Sequence, residues 1–203
     1  MIRIFIALQT PINLQCTLVG MRQVYQNLPL AFRWVNPQQL HLTLKFLGDV
    51  SEQRIPEITQ AMQSAVQDQA PFTLSARGLG CFPSLSRPRV FWMGLEDVSN
   101  SLVTLQQRLD TALATYGFPC DSIPFHPHLT LARIRKPTRC PQFQELLQIY
   151  REQYFGAMLV DRLHLFQSQL HRTGVTYTIM RSVLLRRMKM SHDFKARDHG
   201  QNQ

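Results

Sequence analysis

The sequence predicts an α+β fold built from a duplicated β-α-β-α-β unit, on three observations. Arg3-Ile4-Phe5-Ile6-Ala7-Leu8 is echoed by Arg89-Val90-Phe91-Trp92-Met93-Gly94-Leu95. His41-Leu42-Thr43-Leu44 returns as His128-Leu129-Thr130-Leu131. The first pair starts 86 residues apart (Arg3 to Arg89) and the second 87 (His41 to His128), so both matches express one offset. A repeated tetrapeptide is weak by itself, but its return at the same place in a repeated order of elements points to duplication.

The run Arg3 to Leu8 is short, β-branched and aromatic and stops at Thr10-Pro11, as a strand entering a turn does. From Asn13 onward, Leu14, Leu18, Met21, Tyr25 and Leu28 recur with the helical period. Leu40 to Phe46 alternates, which puts Leu40, Leu42, Leu44 and Phe46 on one face and His41, Thr43 and Lys45 on the other. Ser51 is expected to cap a helix over about residues 54–67, with Ile55, Ile58, Met62, Ala65 and Val66 inward. A strand near Phe72 to Arg77 then leads to Gly78, Gly80 and Pro83.

The second unit opens with the strand Arg89 to Leu95. Ser99 or Asn100 caps a helix with Leu102, Leu105, Leu109, Leu113 and Tyr116 on one face, and Gly117 ends it. His128 to Ala132 is the next strand. Phe143, Leu146, Leu147, Tyr150 and Tyr154 mark a further helix, followed by strands Asp161 to Phe166 and Gly174 to Leu185. The expectation is one bilobal domain over residues 1–185, with lobe one at about 1–87 and lobe two at about 88–185. The segment 186–203 carries Arg186, Arg187, Lys189, Lys195 and Arg197 against Asp193 and Asp198, and is expected to be a basic, solvated, disordered tail.

Composition narrows the class. The chain has 203 residues, 44% of them hydrophobic, enough for a core without staples and too apolar for wholesale disorder. No stretch reaches the roughly 18 apolar residues of a membrane span, and the opening run is too short and wrongly flanked for a signal peptide, so a cytoplasmic protein is expected. Cys16, Cys81, Cys120 and Cys140 are scattered without a C-x-x-C pair and read as reduced thiols. With 22 Lys plus Arg against 13 Asp plus Glu, the net charge of +9 favours polyanionic partners.

The polar face of the repeated strand requires an explanation. One His-x-Thr strand is most simply a solvated sheet face. Two of them, related by duplication, would face each other across a shared groove if the lobes pack about a pseudo-two-fold axis. On one strand the His and Thr stand roughly 6.5 Å apart, close enough to touch one phosphate. Imidazole titrates near neutrality, so a pair can hold one protonated and one neutral partner, an acid and a base together. Flanking hydroxyls can donate to phosphoryl oxygens where charge accumulates. This chemistry asks for no metal or other cofactor.

With these motifs the chain resembles the two-histidine (2H) phosphoesterase superfamily, in particular its bacterial RNA 2′,3′-cyclic phosphodiesterase branch, the LigT-like 2′-5′ RNA ligases. The likeness covers about residues 1–180. It extends to Phe32-Arg33-Trp34-Val35, to Lys45-Phe46-Leu47-Gly48 and Ala132-Arg133 after the two motifs, to Phe82-Pro83, and to Leu165-Phe166-Gln167-Ser168 with Gly174-Val175-Thr176-Tyr177. The resemblance implies antiparallel sheets lining a central cleft, His41 as proton donor and His128 as acceptor, with Thr43 and Thr130 beside them. It also implies RNA with 2′,3′-cyclic phosphate ends as substrate, tRNA fragments among the candidates, a 2′-phosphomonoester product and a weak reverse ligation.

Other residues are candidates for substrate binding. Arg133 could hold the phosphate, although strict alternation puts it on the face opposite His128 unless the strand bulges. Lys45, on the His41 face, could meet RNA, and Phe5, Trp34 and Phe82 could stack a base, with core packing as the plainer reading. His126-Pro127-His128 has a spacing that ligates metal when a third ligand joins, but no Asp or Glu adjoins either strand in sequence. Cys81 has no base paired with it, and His164, His171, His192 and His199 show no pattern. No membrane or obligate protein partner is expected, and the chain is expected to be a monomer. The functional expectation is a cyclic phosphodiesterase; an RNA-binding module with little turnover and a 2H enzyme for a small cyclic phosphodiester remain as alternatives.

Overall fold

The computed structural model describes residues 1–172 and 174–186. Its strands are β1 (Ile2–Gln9), β2 (Phe32–Trp34), β3 (His41–Val50), β4 (Phe72–Phe82), β5 (Val90–Glu96), β6 (His128–Ile134), β7 (Tyr154–Val160), β8 (Arg162–His171) and β9 (Gly174–Leu184). The helices are α1 (Ile12–Tyr25), α2 (Ile55–Ala65), α3 (Ser101–Ala114) and α4 (Pro141–Ile149). They bury the faces that their periods mark: Leu14, Leu18, Met21 and Tyr25 on α1, Ile55, Ile58, Ala61, Met62 and Ala65 on α2, and Leu102, Leu105, Leu109 and Leu113 on α3. Asn100 occupies the cap position of α3 with φ +56° and no side-chain cap bond; the Asp97 carboxylate does that work, accepting from the Leu102 and Ser99 amides.

Two antiparallel sheets result. One has the order β3-β1-β8-β9 and the other β2-β6-β5-β4-β7. Omitting β2, the orders are equivalent position by position, since β3, β1, β8 and β9 correspond to β6, β5, β4 and β7. The two lobes line a cleft, with β3 and β6, the His-x-Thr strands, approaching each other across it. Strand β4 of the first unit pairs with β5 of the second, and β8 of the second pairs with β1 of the first. Each sheet therefore draws strands from both sides of Arg87, and one continuous core of buried side chains links them.

Three local departures from the expected pattern bear on the site. Strand β2 is new, three residues pairing antiparallel with β6. Helix α4 stops at Ile149, and Tyr154 opens β7 with its side chain exposed. Most important, β3 and β6 each carry one extra residue immediately after the threonine. Ala7 pairs with Thr43 and Ile6 with Lys45, leaving Leu44 unpaired, and Trp92 pairs with Thr130 and Phe91 with Ala132, leaving Leu131 unpaired. A bulge of this kind reverses the facing of the residues that follow, in β3 as far as a second bulge at Leu47. Of the expected basic tail, residues 187–203 lie outside the described residues; Arg186 bridges to Gln67 in parallel.

Candidate active site

Each histidine stands at the start of its strand with the same local bond. His41 Nδ1 lies 2.7 Å from the Gln39 carbonyl, and His128 Nδ1 lies 2.6 Å from the His126 carbonyl. A carbonyl can only accept, so both Nδ1 atoms carry hydrogen and donate. In the neutral ring Nε2 is then the bare nitrogen, free to take a proton, and in the charged ring it is the donor. The leucines between the motif residues, Leu42 and Leu129, are fully buried and anchor the strands. Burial lowers both histidines from the usual imidazole range, partly opposed by these carbonyl bonds. The charge of His128 lowers His41 further, and that of the neighbouring His126 lowers His128.

The walls are aromatic. The His41 ring rests on Phe5 at 4.9 Å between centroids and meets Tyr177 edge-on at 5.1 Å. His128 meets Phe82 edge-on at 5.1 Å, and His126 packs on Trp92 at 4.9 Å. Gly80 permits that wall, since a Cβ there would fall 2.2 Å from the Trp92 ring. Thr43 and His128, from different motifs, border one largely apolar cleft of about 670 Å³ with Phe46, Phe82, Ile123 and Phe125.

The structure sorts the remaining candidates. Arg133 is on the groove face, because the bulge at Leu131 turns it there, and it borders a second cleft. Lys45 does not share the His41 face. The bulge at Leu44 turns it inward, where it is 3% exposed and sits 2.6 Å from Asp110, 2.9 Å from Asp121 and 2.7 Å from the Pro119 carbonyl. Burial alone would lower its pKa, but the hydrogen bonds and charges of the two carboxylates outweigh that and hold it raised. Carboxylates thus do adjoin a motif strand, supplied by α3 and the loop after it. Phe46, expected inward, is 65% exposed at the cleft instead. Phe5 is 3% exposed beneath His41 and offers no face to a base; it supports the imidazole together with Phe166 and Tyr177. Trp34 packs on Phe32 and Phe91 and borders the second cleft, while Phe82 stands at the first.

Other residues read as structural. The Cys81 thiol is pushed up by burial, against thiolate chemistry, and all four cysteines are free. His164 is buried and hydrogen-bonded to Ser182 at 2.8 Å. Among the described residues no three His, Cys, Asp or Glu side chains are placed to hold a metal ion, and no helix is long and apolar enough to cross a membrane. Phe46, Tyr177 and Arg33 entered the sequence reading within the segments of family likeness, with no functional role; the structure places Phe46 at the first cleft and Tyr177 and Arg33 at the second.

Paired His-x-Thr strands across the groove of two exchanged lobes define the architecture of a two-histidine phosphoesterase. Known proteins agree. The family model of the 2′-5′ RNA ligase superfamily matches residues 23–172. An RNA 2′,3′-cyclic phosphodiesterase of Aquifex aeolicus is 36% identical over 160 residues, which covers 78% of this chain and 85% of that protein. One from Aeropyrum pernix is 32% identical over 166 residues, 82% and 93% of the respective chains. Among solved structures, E. coli LigT complexed with 3′-AMP superposes with a TM-score of 0.72 at 26% identity, covering 91% of this chain and 98% of LigT. The chain belongs to the 2H phosphoesterase superfamily, in its LigT-like RNA 2′,3′-cyclic phosphodiesterase family.

Proposed function

We propose that this protein hydrolyses the terminal 2′,3′-cyclic phosphate of RNA to a 2′-phosphomonoester, with His128 as base and His41 as acid. The observation that carries the reading is the matched pair of imidazoles, each holding Nδ1–H against the carbonyl two residues upstream, which leaves Nε2 as the atom that takes or gives the proton. His128 Nε2 removes a proton from water as the water oxygen bonds to phosphorus. The bond from phosphorus to O3′ breaks, and O3′ leaves with the proton from His41 Nε2. Thr43 and Thr130 donate to the non-bridging oxygens, Arg133 adds positive charge, and Phe46 with Phe82 offers an apolar seat for the terminal base. The reverse path would join ends through a 2′-5′ link. The relatives' activity and the +9 charge favour an RNA substrate; that tRNA fragments are among the substrates and that the enzyme is a cytoplasmic monomer belong to the same proposal.

Incubation with an oligoribonucleotide ending in a 2′,3′-cyclic phosphate should yield a 2′-phosphate end. Binding without turnover would favour an RNA-binding module instead. Hydrolysis should survive thorough chelation, because two imidazoles supply both acid and base; a loss restored by added divalent metal would overturn the mechanism.

The pH dependence has a defined sign. The active form carries one proton on the pair, so kcat/KM should be bell-shaped with limbs that belong to the coupled pair. Both histidines are lowered in the free protein, so the maximum of kcat/KM should lie on the acid side of about 6.5. The bound phosphate anion favours imidazolium, so the maximum of kcat should lie at higher pH than that of kcat/KM. A kcat/KM flat from about pH 5 to 8 would contradict the pairing.

A further inference from the structure

Three segments of the chain meet at the end of the second sheet where β6 finishes, and they carry positive charge only. The Arg89 amide donates to the Phe82 carbonyl at 2.7 Å, the Ile134 amide to the Arg89 carbonyl at 2.8 Å, and the Arg135 amide to the Ala31 carbonyl at 3.1 Å. These bonds bring together the turn before β5, with Arg87 and Arg89, and the connection from β6 to α4, with Arg135, Lys136 and Arg139. All five residues are exposed. Residues 28–48, 82–95 and 122–144 contain no Asp or Glu, so none of the segments that meet there supplies a carboxylate.

Several arginines elsewhere on the surface have acidic partners: Arg54 meets Glu57, Arg77 meets Glu96, Arg151 meets Glu152 and Arg162 meets Asp161. Among the described residues none of the five forms an ion pair. Like charges gathered without a counter-charge oppose the compact state, and a polyanion laid on this surface relieves that repulsion. The surface is also fixed in shape. Gln144 of α4 donates to the Leu85 carbonyl at 3.0 Å and the Arg87 amide to the Ser84 carbonyl at 3.3 Å, so the turn is tied to the helix that follows the basic connection. It adjoins the reaction centre on two sides. Arg133, assigned above to the scissile phosphate, lies two residues before Arg135, and Phe82, whose carbonyl holds Arg89, meets His128 edge-on at 5.1 Å.

We infer that Arg87, Arg89, Arg135, Lys136 and Arg139 form a landing surface for the sugar-phosphate backbone of RNA upstream of the cyclic end, outside the groove that does the chemistry. The inference rests on the cyclic-phosphate reading above. A terminal cyclic phosphate is one group at the end of a long polyanion, and the phosphates behind it need a surface of opposite charge beside the groove. Contacts of this kind position a strand without reading its bases, so they select RNA ends by length and not by sequence. They leave Arg133 with the scissile phosphate and act on KM, because the same contacts are made in the ground state and the transition state.

The test compares adenosine 2′,3′-cyclic phosphate with an oligoadenylate of about ten nucleotides that carries the same end, KM being followed against salt. The proteins are wild type, Arg135→Gln/Arg139→Gln and Arg108→Glu, the last changing net charge by the same amount on α3, which packs on α2. In wild type the oligomer should have a KM lower by about tenfold or more at low salt and a steeper salt dependence. The double variant should raise the oligomer's KM about tenfold and lower its log-log slope by about one to one and a half units, at roughly 0.7 for each single-strand phosphate contact. Its turnover of the cyclic mononucleotide should stay within about twofold of wild type, which shows the fold intact. Arg108→Glu should leave both slopes near wild type. Equal KM and slope for the two substrates in wild type, an unchanged oligomer slope in the double variant, or the same loss in Arg108→Glu overturns the landing surface while the hydrolysis stands. Absence of turnover of either compound by wild type overturns the hydrolytic reading itself.

Discussion

Replacing His128 with Ala should lower turnover of a cyclic-phosphate RNA end by roughly two to four orders of magnitude, and His41→Ala should do the same. On the proposed mechanism each removes one of the two groups that move a proton. The double variant should lose much less than the product of the two, because an acid without its base is already idle. Thr43→Ala and Thr130→Ala should be milder, each removing one donor whose preorganised contribution reaches about two to three orders at most. All four proteins should melt near wild type. The replaced side chains face the groove, whereas Leu42 and Leu129 carry the strands' burial. Single-turnover rates together with thermal melts check the claim. A folded His128→Ala protein with near-normal turnover would make the duplicated motif structural.

Much of this site was legible in the chain, for a definable reason. Duplication preserves spacing, so the repeated His-Leu-Thr-Leu and its common offset disclosed the facing strands before any coordinates. The periods of α1, α2 and α3 gave their buried faces, apart from Ala61 and Gln106, which the apolar spacing passes over. The exchange of β4 and β8 was not legible, because the order β-α-β-α-β reads the same whichever sheet receives them. The bulges were not legible either. Leu44 and Leu131 continue a perfect alternation, and only the partner strands reveal that each is extra. That single local feature misplaced Lys45 and Phe46 and set alternation against Arg133. Strand β7 was hidden because Tyr154 prolongs the helical spacing of Phe143, Leu147 and Tyr150 past the true end of α4.

Lys45→Met should lower stability by about 3–5 kcal/mol, the cost of leaving buried carboxylate charge without its partner. The lysine is 3% exposed, and Asp110, its nearer partner, only 14%, so water cannot replace the lost ammonium there; Asp121, at 49%, can be rehydrated. At this chain length the loss corresponds to a fall in Tm of roughly 6–20 °C. The charge of Asp110 is the source of the penalty, so adding Asp110→Leu should recover a large part of it, and the two single effects should not sum. Lys45 sits above its ordinary pKa in the folded protein, so its contribution is complete below the unfolded value near 10.4 and is lost as pH rises through the raised one. Wild-type and Lys45→Met melts should thus differ fully at neutrality and converge only in strong alkali. The same ion pairs hold the segment from Pro119 to Asp121 against β3, and the cleft beside Thr43 and His128 is walled by the residues that follow. Turnover should therefore fall in Lys45→Met although its ammonium faces carboxylates and not substrate, and the double variant should regain stability without regaining all of the rate. A Lys45→Met protein that melts within about 2 °C of wild type at neutral pH would show that the triad carries no such load.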